Sequence, residues 1–597
     1  MAMSKGAKIF LATAVIFFCL FIVGVIGFLV YLEVVKKQSV PENSVLVLTV
    51  SGELPDYVPE DEFAKALGIA QKESFTSLLT QLRKAKADQR ISGVLLEINF
   101  PDIGWGRASE LRDAIQDVRS SGKPVYAYME FGTNKEYYIA TAADKIFLPP
   151  SGDLWINGLA AEAMFFKGTL DKLGVEAEVI QIGPKYKNAP DQYTRKEMGE
   201  GQREVINAIL DEYFDKYTAA ISQARSKAPE DVKAIIDNAP YTATQAKELG
   251  LIDGALYRED VDEEFRKALG YAQDQKLKVI RSSKYRDISS DSIGLNKGER
   301  IAVIFASGTI NSGKSNDGTW GDPSTGSDTV VKAVNDAAED DSIKAIVLRV
   351  DSPGGSALAS DLMWNALENA KAKKPVVVSM GDVAASGGYY ISCNASKIVA
   401  QPTTITGSIG VFAGKPIVRG LYDWLGITNE YILRGKNAGI FRETEKWTPE
   451  ERKKMEEQVG HIYYDNFLPK VARGRKMSTE QVDAIGQGRV WTGSQAKSNG
   501  LIDEFGGLER AIQIAKELAN LPPDKDVKRV VFPAPRPFFE SLFGGEDSSE
   551  IKSEQIKESL LKSLPPSAQK AFAFSSLMNS MERGDVMALM PIWLEIR

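Results

Sequence analysis

Histidine is almost missing from this 597-residue chain; the one present is His461. A Ser-His-Asp triad, a Cys-His dyad or a multi-histidine metal site would each have to rest on it. Cysteine is nearly as scarce. Cys19 and Cys393 are the two, and Cys19 sits in an apolar run, which excludes a disulfide framework and a cysteine-built zinc site. Positive charge is not in excess either: 73 Lys and Arg against 80 Asp and Glu leave a net charge of −7. Nothing is left over to neutralise a phosphate backbone, so no nucleic-acid partner is expected. Apolar residues are not lacking, at 43% with 26% charged, and the length admits roughly four domain-sized units.

Only one long hydrophobic run exists. Ile9–Leu32 carries no charge over its whole length, and a helix of it rises about 36 Å, enough for a hydrocarbon core of about 30 Å. A cleaved signal peptide would have a shorter apolar region and a small-residue cleavage site, and Tyr31-Leu32-Glu33-Val34-Val35-Lys36-Lys37 offers none. Residues 1–37 therefore read as an uncleaved anchor that meets membrane lipid through residues 9–32. The flanking lysines, Lys5 and Lys8 against Lys36 and Lys37, do not orient it.

The remainder repeats itself. Ile91–Ile98 matches Ile343–Val350, Tyr137-Tyr138-Ile139 matches Tyr389-Tyr390-Ile391, Lys187-Asn188-Ala189 matches Lys436-Asn437-Ala438, and Gly250–Asp253 matches Gly500–Asp503, all at offsets near 250 and in unchanged order. Two copies of one domain are expected, over residues 45–270 and 298–520. In each, short β-branched runs alternate with helical stretches such as Arg107–Ser120 and Leu358–Lys371, the pattern of βαβ units and a largely parallel α/β sheet. Each copy then holds a long charged helix, Lys196–Ala224 and Pro449–Gly474. Residues 521–597 form a proline-rich linker and a tail whose end, Met587–Arg597, is apolar enough to dock on the body, a second subunit or a membrane.

The copies differ where chemistry would lie. The second reads Asp351-Ser-Pro-Gly-Gly-Ser356, Gly381-Asp-Val-Ala-Ala-Ser-Gly-Gly-Tyr-Tyr390 and Thr406-Gly-Ser-Ile-Gly410, whereas the first has Asn134 and Lys135 in place of Ser386 and Gly387. Paired glycines at a strand end let backbone N–H groups approach a ligand, and a serine on a strand-to-helix turn gains the helix N-terminus for a developing oxyanion. Such a serine needs a base. His461 stands in a charged helical stretch, which leaves a buried lysine of lowered pKa, and the lysines kept in both copies are Lys187 and Lys436.

Together these motifs, with Lys185-Tyr-Lys-Asn-Ala189, closely resemble the signal peptide peptidase A family in its long two-copy form, over about residues 8–520. The resemblance implies tandem crotonase/Clp-protease-like domains, no cofactor and no metal, and a serine endopeptidase that cuts cleaved signal peptides through an acyl-enzyme. It implies Ser386 as nucleophile, Lys187 as general base with Lys436 as the alternative, Gly354 and Gly387 as oxyanion donors, and Ser408 as the residue that orients the lysine. It also implies a homo-oligomer, a tetramer in the family, held at a bacterial inner membrane with its body on the periplasmic side. Two competing readings are an acyl-CoA enzyme of the crotonase class, which would need neither a serine on this turn nor an anchor, and a non-catalytic scaffold, which would not keep every reactive position in the second copy.

Overall fold

Six strands of each copy line up in the same order. A computed structural model describes residues 40–59, 72–272, 274–316, 323–533, 586–590 and 595–596, with residues 6, 13, 15–25 and 27 near the N-terminus. The first sheet runs Gly254–Ala255, Lys145–Leu148, Val125–Tyr128, Ile91–Asp102, Ser44–Glu53, Val279–Arg281, every neighbour parallel. The second repeats that order with Glu504–Phe505, Lys397–Ala400, Val376–Ala385, Ile343–Ser352, Arg300–Ser307 and Lys528–Phe532. Its Val376–Ala385 strand is long enough to carry a further branch, Ile405–Gly407, at its carboxyl end. The central strands are almost fully buried, which is why they read as continuous Val/Ile/Leu runs rather than alternating ones.

Each sheet is closed by a strand past the expected limit of its copy: Val279–Arg281 lies beyond residue 270, and Lys528–Phe532 beyond 520. Neither segment carries a motif. What recruits it is the row of unpaired backbone groups on the outer edge of Ser44–Glu53 or Arg300–Ser307. The helix expected over Pro449–Gly474 is interrupted. It runs as Pro449–Gly460, a π-helical turn His461–Phe467, and Leu468–Arg475. Pro469 lacks an N–H and its ring would strike the carbonyl four residues back, so the backbone widens there.

The copies are bound by a third sheet that neither completes alone. Its order is Ser324–Gly326, Thr309–Asn311, Gly354–Ser356, Met587–Leu589, Phe412–Ile417 and Glu176–Gln181. Glu176–Gln181 of the first copy pairs antiparallel along the full length of Phe412–Ile417 of the second. Buried charge also crosses the seam. Arg349 is fully buried; its Nε donates to Asp56 at 2.8 Å and its Nη2 to Glu110 at 2.8 Å. The opposite face of Glu110 accepts from the Leu508 amide at 2.6 Å. Removing one member would strand a charge in the interior, so this network fixes which way the copies dock.

Of the expected anchor, Ile9–Leu32, residues 13, 15–25 and 27 are among those described and the rest lie outside them. Within it, residues 15–25 are helical with exposed apolar side chains such as Phe17 and Phe21. Among the described residues no helix is long and apolar enough to cross a membrane.

Candidate active site

The two glycine-rich loops of the second copy follow the carboxyl ends of neighbouring parallel strands, Ile343–Ser352 and Val376–Ala385. Ser386 ends the second of these and caps the helix Gly387–Ser392. Its φ of +53 and ψ of −111 put a side-chain-bearing residue in a strained region of backbone space. The strain is held by a hydrogen bond from its amide to the Gly407 carbonyl at 2.8 Å and one from the Tyr390 amide to its own carbonyl at 2.8 Å. Ser386 is fully buried, and its Oγ donates to the Gly410 carbonyl at 3.3 Å.

Gly354, at φ +100, crosses directly against the start of that helix. A side chain there would stand 2.6 Å from the Gly387 amide nitrogen and would collide with the Ala588 carbonyl oxygen of the tail, so only glycine lets the strand lie this close. The Gly354 amide itself donates to Ser352 Oγ at 3.2 Å. The Gly387 amide belongs to the first turn of its helix, where N–H groups have no partner within the helix and the helix dipole is positive.

Lys187 arrives from the other copy. After Glu176–Gln181 pairs across the seam, the Ile182 amide continues the ladder to the Val411 carbonyl at 3.0 Å, and Gly183 turns the chain inward. Lys187 Nζ then lies 2.9 Å from Ser386 Oγ and 3.3 Å from Ser408 Oγ. The alternative, Lys436, lies on an exposed turn away from this cluster. His461 is exposed too, paired with Asp465 at 2.8 Å.

Other lysines show what an ordinary buried ammonium looks like here. Lys84 donates to the carbonyls of Tyr285, Arg286 and Ile288 at 2.8–3.0 Å, and Lys415 to those of Ile440, Arg442 and Glu445. Lys187, with 0% exposure, faces two hydroxyls instead. Burial therefore pushes its pKa well below 10.5, and no partner charge opposes the shift.

Several residues that build the site escape motif reading. Gly488, at φ +83, packs on Lys187 so closely that a side chain would stand 2.6 Å from the lysine Cα. The next residue, Arg489, accepts the Ser408 amide on its carbonyl at 2.7 Å. Its guanidinium donates to Tyr186 at 2.9 Å and Glu204 at 2.6 Å, both of the first copy. This explains the tyrosine before the lysine: it ties the lysine loop to the loop that carries Ser408. The signal was available, since Gly486-Gln-Gly488 faces Ile236-Asp-Asn238 in the first copy, the same one-sided glycine pattern as the reactive loops.

A second clamp sits behind the loops. Arg107 binds Asp382, four residues before the serine, and lies 3.7 Å from Asp351, which leads into Ser-Pro-Gly-Gly. The Gly104 and Arg107 amides also donate to Asp382, at 2.7 and 2.6 Å, and the Val383 amide to Asp351 at 2.9 Å. Burial pushes Asp351 up to about 6 against the pull of Arg107. For Asp382 the same burial is outweighed by Arg107 and the amides, and its carboxyl is held below the usual range. The first copy thus uses the loop where it lost its glycine pair to brace the glycine pair of the second.

An α/β protein that sets a strained serine at a helix N-terminus, beside a lysine stripped of solvent and counter-charge, has the constellation of a serine hydrolase. The model of peptidase family S49 matches residues 117–271 and 368–522. The chain is 37% identical over 530 residues to the chloroplastic serine protease SPPA of Arabidopsis thaliana, covering 88% of this chain and 77% of that one. It is 35% identical over 495 residues to protease 4 of Salmonella typhi, covering 80% and 78%. Against protease 4 of Haemophilus influenzae it is 32% identical over 521 residues, covering 83% and 82%. The chain belongs to peptidase family S49 and is a serine peptidase, which sets aside the acyl-CoA enzyme and the scaffold.

Proposed function

We propose that this peptidase is membrane-anchored and hydrolyses cleaved signal peptides by a Ser386–Lys187 dyad whose members come from different copies. The observation that carries the reading is the 2.9 Å separation of Lys187 Nζ and Ser386 Oγ in a fully buried setting. Burial favours the neutral amine, which takes the Oγ proton as the oxygen attacks the scissile carbonyl. Ser408 holds the amine in line from its other side. The oxyanion forms against the Gly387 N–H, where the helix dipole adds to the field, and the Gly354 N–H joins it by giving up its 3.2 Å bond to Ser352 Oγ. Lys187 then passes its proton to the leaving amine, and water activated by the same lysine releases the acyl group. No step calls on a cofactor.

The crotonase/Clp-protease type of fold is supported by the placement of both reactive loops at the carboxyl ends of adjacent parallel strands. An anchor at residues 9–32, with the body outside the cytoplasm, fits substrates that are themselves membrane-embedded after cleavage. Assembly with further copies is supported by a run of exposed apolar side chains on the second copy, Trp424 at 75% and Ile432 at 85% exposure, with Leu425, Tyr431 and Phe441. Incubating the purified full chain with a synthetic signal peptide, alongside Ser386→Ala, tests the reading. Cleavage and fluorophosphonate labelling by the parent, both absent in the variant, are expected; cleavage at near-parental rate by Ser386→Ala overturns it.

A further inference from the structure

The first copy keeps the frame of the reactive site and not its chemistry. Phe131–Thr133 pairs parallel with Asp153–Trp155, which pairs antiparallel with Tyr241–Thr242. The second copy builds the same ladder in the same register, with residues 383–385 on Ile405–Gly407 and these on Val490–Thr492. Asn134 stands in the place of Ser386. Its Nδ2 donates to the Gly158 carbonyl at 2.8 Å, as Ser386 Oγ does to the Gly410 carbonyl. Its Oδ1 is buried and has no donor among the described residues. A buried acceptor left without a donor is costly, so its retention calls for a reason.

Aromatic rings replace the reactive loops around it. Phe100 lies where Ser352 opens the Ser-Pro-Gly-Gly loop, Phe131 where Val383 leads to the serine, and Trp155 where Gly407 leads to Ser408. The three form a continuous row: Phe100 and Phe131 have ring centroids 5.8 Å apart, and Phe131 and Trp155 5.6 Å. Phe100 is 58% exposed and Trp155 44%. Folding gains little from rings left in water. Phe100 also sits at φ +47, a strained region for a bulky side chain. Strain kept in an exposed ring points to a ligand rather than to the core. The rim of the row is acidic. Asp102 and Glu130 are exposed, Asp153 lies opposite Phe131 in the ladder, and none of the three has an ion-pair partner among the described residues. Lys135, next to Asn134, is a positive charge on the same segment.

Resting on the peptidase reading above, we propose that this lost site is a non-catalytic docking site for the substrate. An apolar peptide stretch with a basic flank lies on Phe100, Phe131 and Trp155 while another part of the same peptide is cut at Ser386. The rings cover its apolar side chains, a peptide N–H meets the free Oδ1 of Asn134, and Asp102, Glu130 and Asp153 receive the basic flank. A signal peptide has that composition, a positive segment followed by an apolar one. The docking site is tied to the dyad. Gly104, four residues beyond Phe100, donates its amide to Asp382, four residues before Ser386. Four residues of chain reach at most about 14 Å, so a substrate of about a dozen extended residues spans both sites. With asparagine in the place of the nucleophile, the docked stretch is held and not cut.

The test measures KM and kcat of the full chain on synthetic peptides that share one scissile core. One is the core alone, about six residues; a second extends it to about twenty with a leucine-rich stretch ending in two lysines; a third ends in two glutamates instead. The basic long peptide is expected to have a KM about tenfold below that of the core, with kcat alike. Phe100→Ser combined with Trp155→Ser should erase that advantage and leave KM and kcat on the core unchanged, whereas Trp155→Phe should keep it. Glu130→Gln combined with Asp153→Asn should erase the preference for the basic over the acidic extension. Equal KM for long and short peptides in the parent overturns the proposal, whether or not the ring variant folds. So does an advantage that survives loss of both rings; if light scattering then shows that variant in a smaller assembly than the parent, the rings face a second copy instead. Cleavage of the core without any gain from length refutes the docking site alone. No cleavage and no fluorophosphonate labelling of Ser386 in any form refutes the peptidase dyad and the docking site with it.

Discussion

Gly488→Ala is the substitution in which the argument for Lys187 is most exposed. Gly488 lies 301 residues beyond the lysine in the chain and makes no chemical contribution of its own. A methyl group there would stand 2.6 Å from Lys187 Cα and Cβ and 2.7 Å from its Cδ. Ordinary carbon contacts lie at about 3.5–4.0 Å, so the lysine or the loop must yield by about 1 Å. The positive φ adds about 1–2 kcal/mol of backbone strain. A control isolates that part: Gly294 has φ +84, against +83 at Gly488, with nothing within 4 Å of the added methyl. Both variants should therefore lose similar stability to strain. Only Gly488→Ala should move the amine from Ser386, and a displacement of about 1 Å at a reacting group costs about 10² in rate. The assay is kcat/KM on an apolar peptide beside the melting temperature of each variant. If Gly488→Ala hydrolyses as fast as Gly294→Ala, the lysine does not need the position in which the structure holds it.

Lys187→Met should abolish hydrolysis yet stabilise the fold near neutral pH. The gain is about 1.4 kcal/mol for every unit by which burial lowers the lysine pKa, and parallel activity and urea-unfolding measurements check both halves. Lys436→Ala, on its exposed turn, should keep parental activity. Activity should rise with pH as Lys187 loses its proton, and His461→Ala should leave that profile unchanged. Because the unfolded chain binds the lysine proton that the folded chain releases, stability should also rise with pH from the lowered pKa up to 10.5 in the parent and not in Lys187→Met. Asp351 has the opposite sign: folded, it keeps a proton up to about 6 that the unfolded chain releases near 3.8, so its contribution is full below 3.8 and lost as pH rises through about 6. Asp351→Asn should remove that slope from a series of urea midpoints. Arg107→Gln leaves Asp382 and Asp351 buried without their cation, and should cost about 3–5 kcal/mol in thermal unfolding, with activity lost alongside.

Much of this protein is legible in its residues because the relevant constraints are local. Paired glycines at 354–355 are demanded by φ values of +100 and +158. A serine followed by two glycines marks a strand that turns at once into a helix. The duplication is visible because both copies must build the same six-stranded parallel order and so keep the same apolar runs. What could not be read is pairing between distant segments. Locally, Lys187 differs from Lys436 in the tyrosine before it, where Lys436 has Gly435; which lysine meets the serine is decided by the antiparallel ladder of Glu176–Gln181 on Phe412–Ile417, which aims one lysine loop at the serine and leaves the other on the surface. The edge strands at Val279–Arg281 and Lys528–Phe532, the Arg107 clamp and the tail strand at Met587–Leu589 share that character. Each is an unremarkable short segment whose role comes from an unpaired edge or a buried charge supplied hundreds of residues away. Composition and spacing determine which chemistry the chain carries, and tertiary register alone decides which copies of it meet.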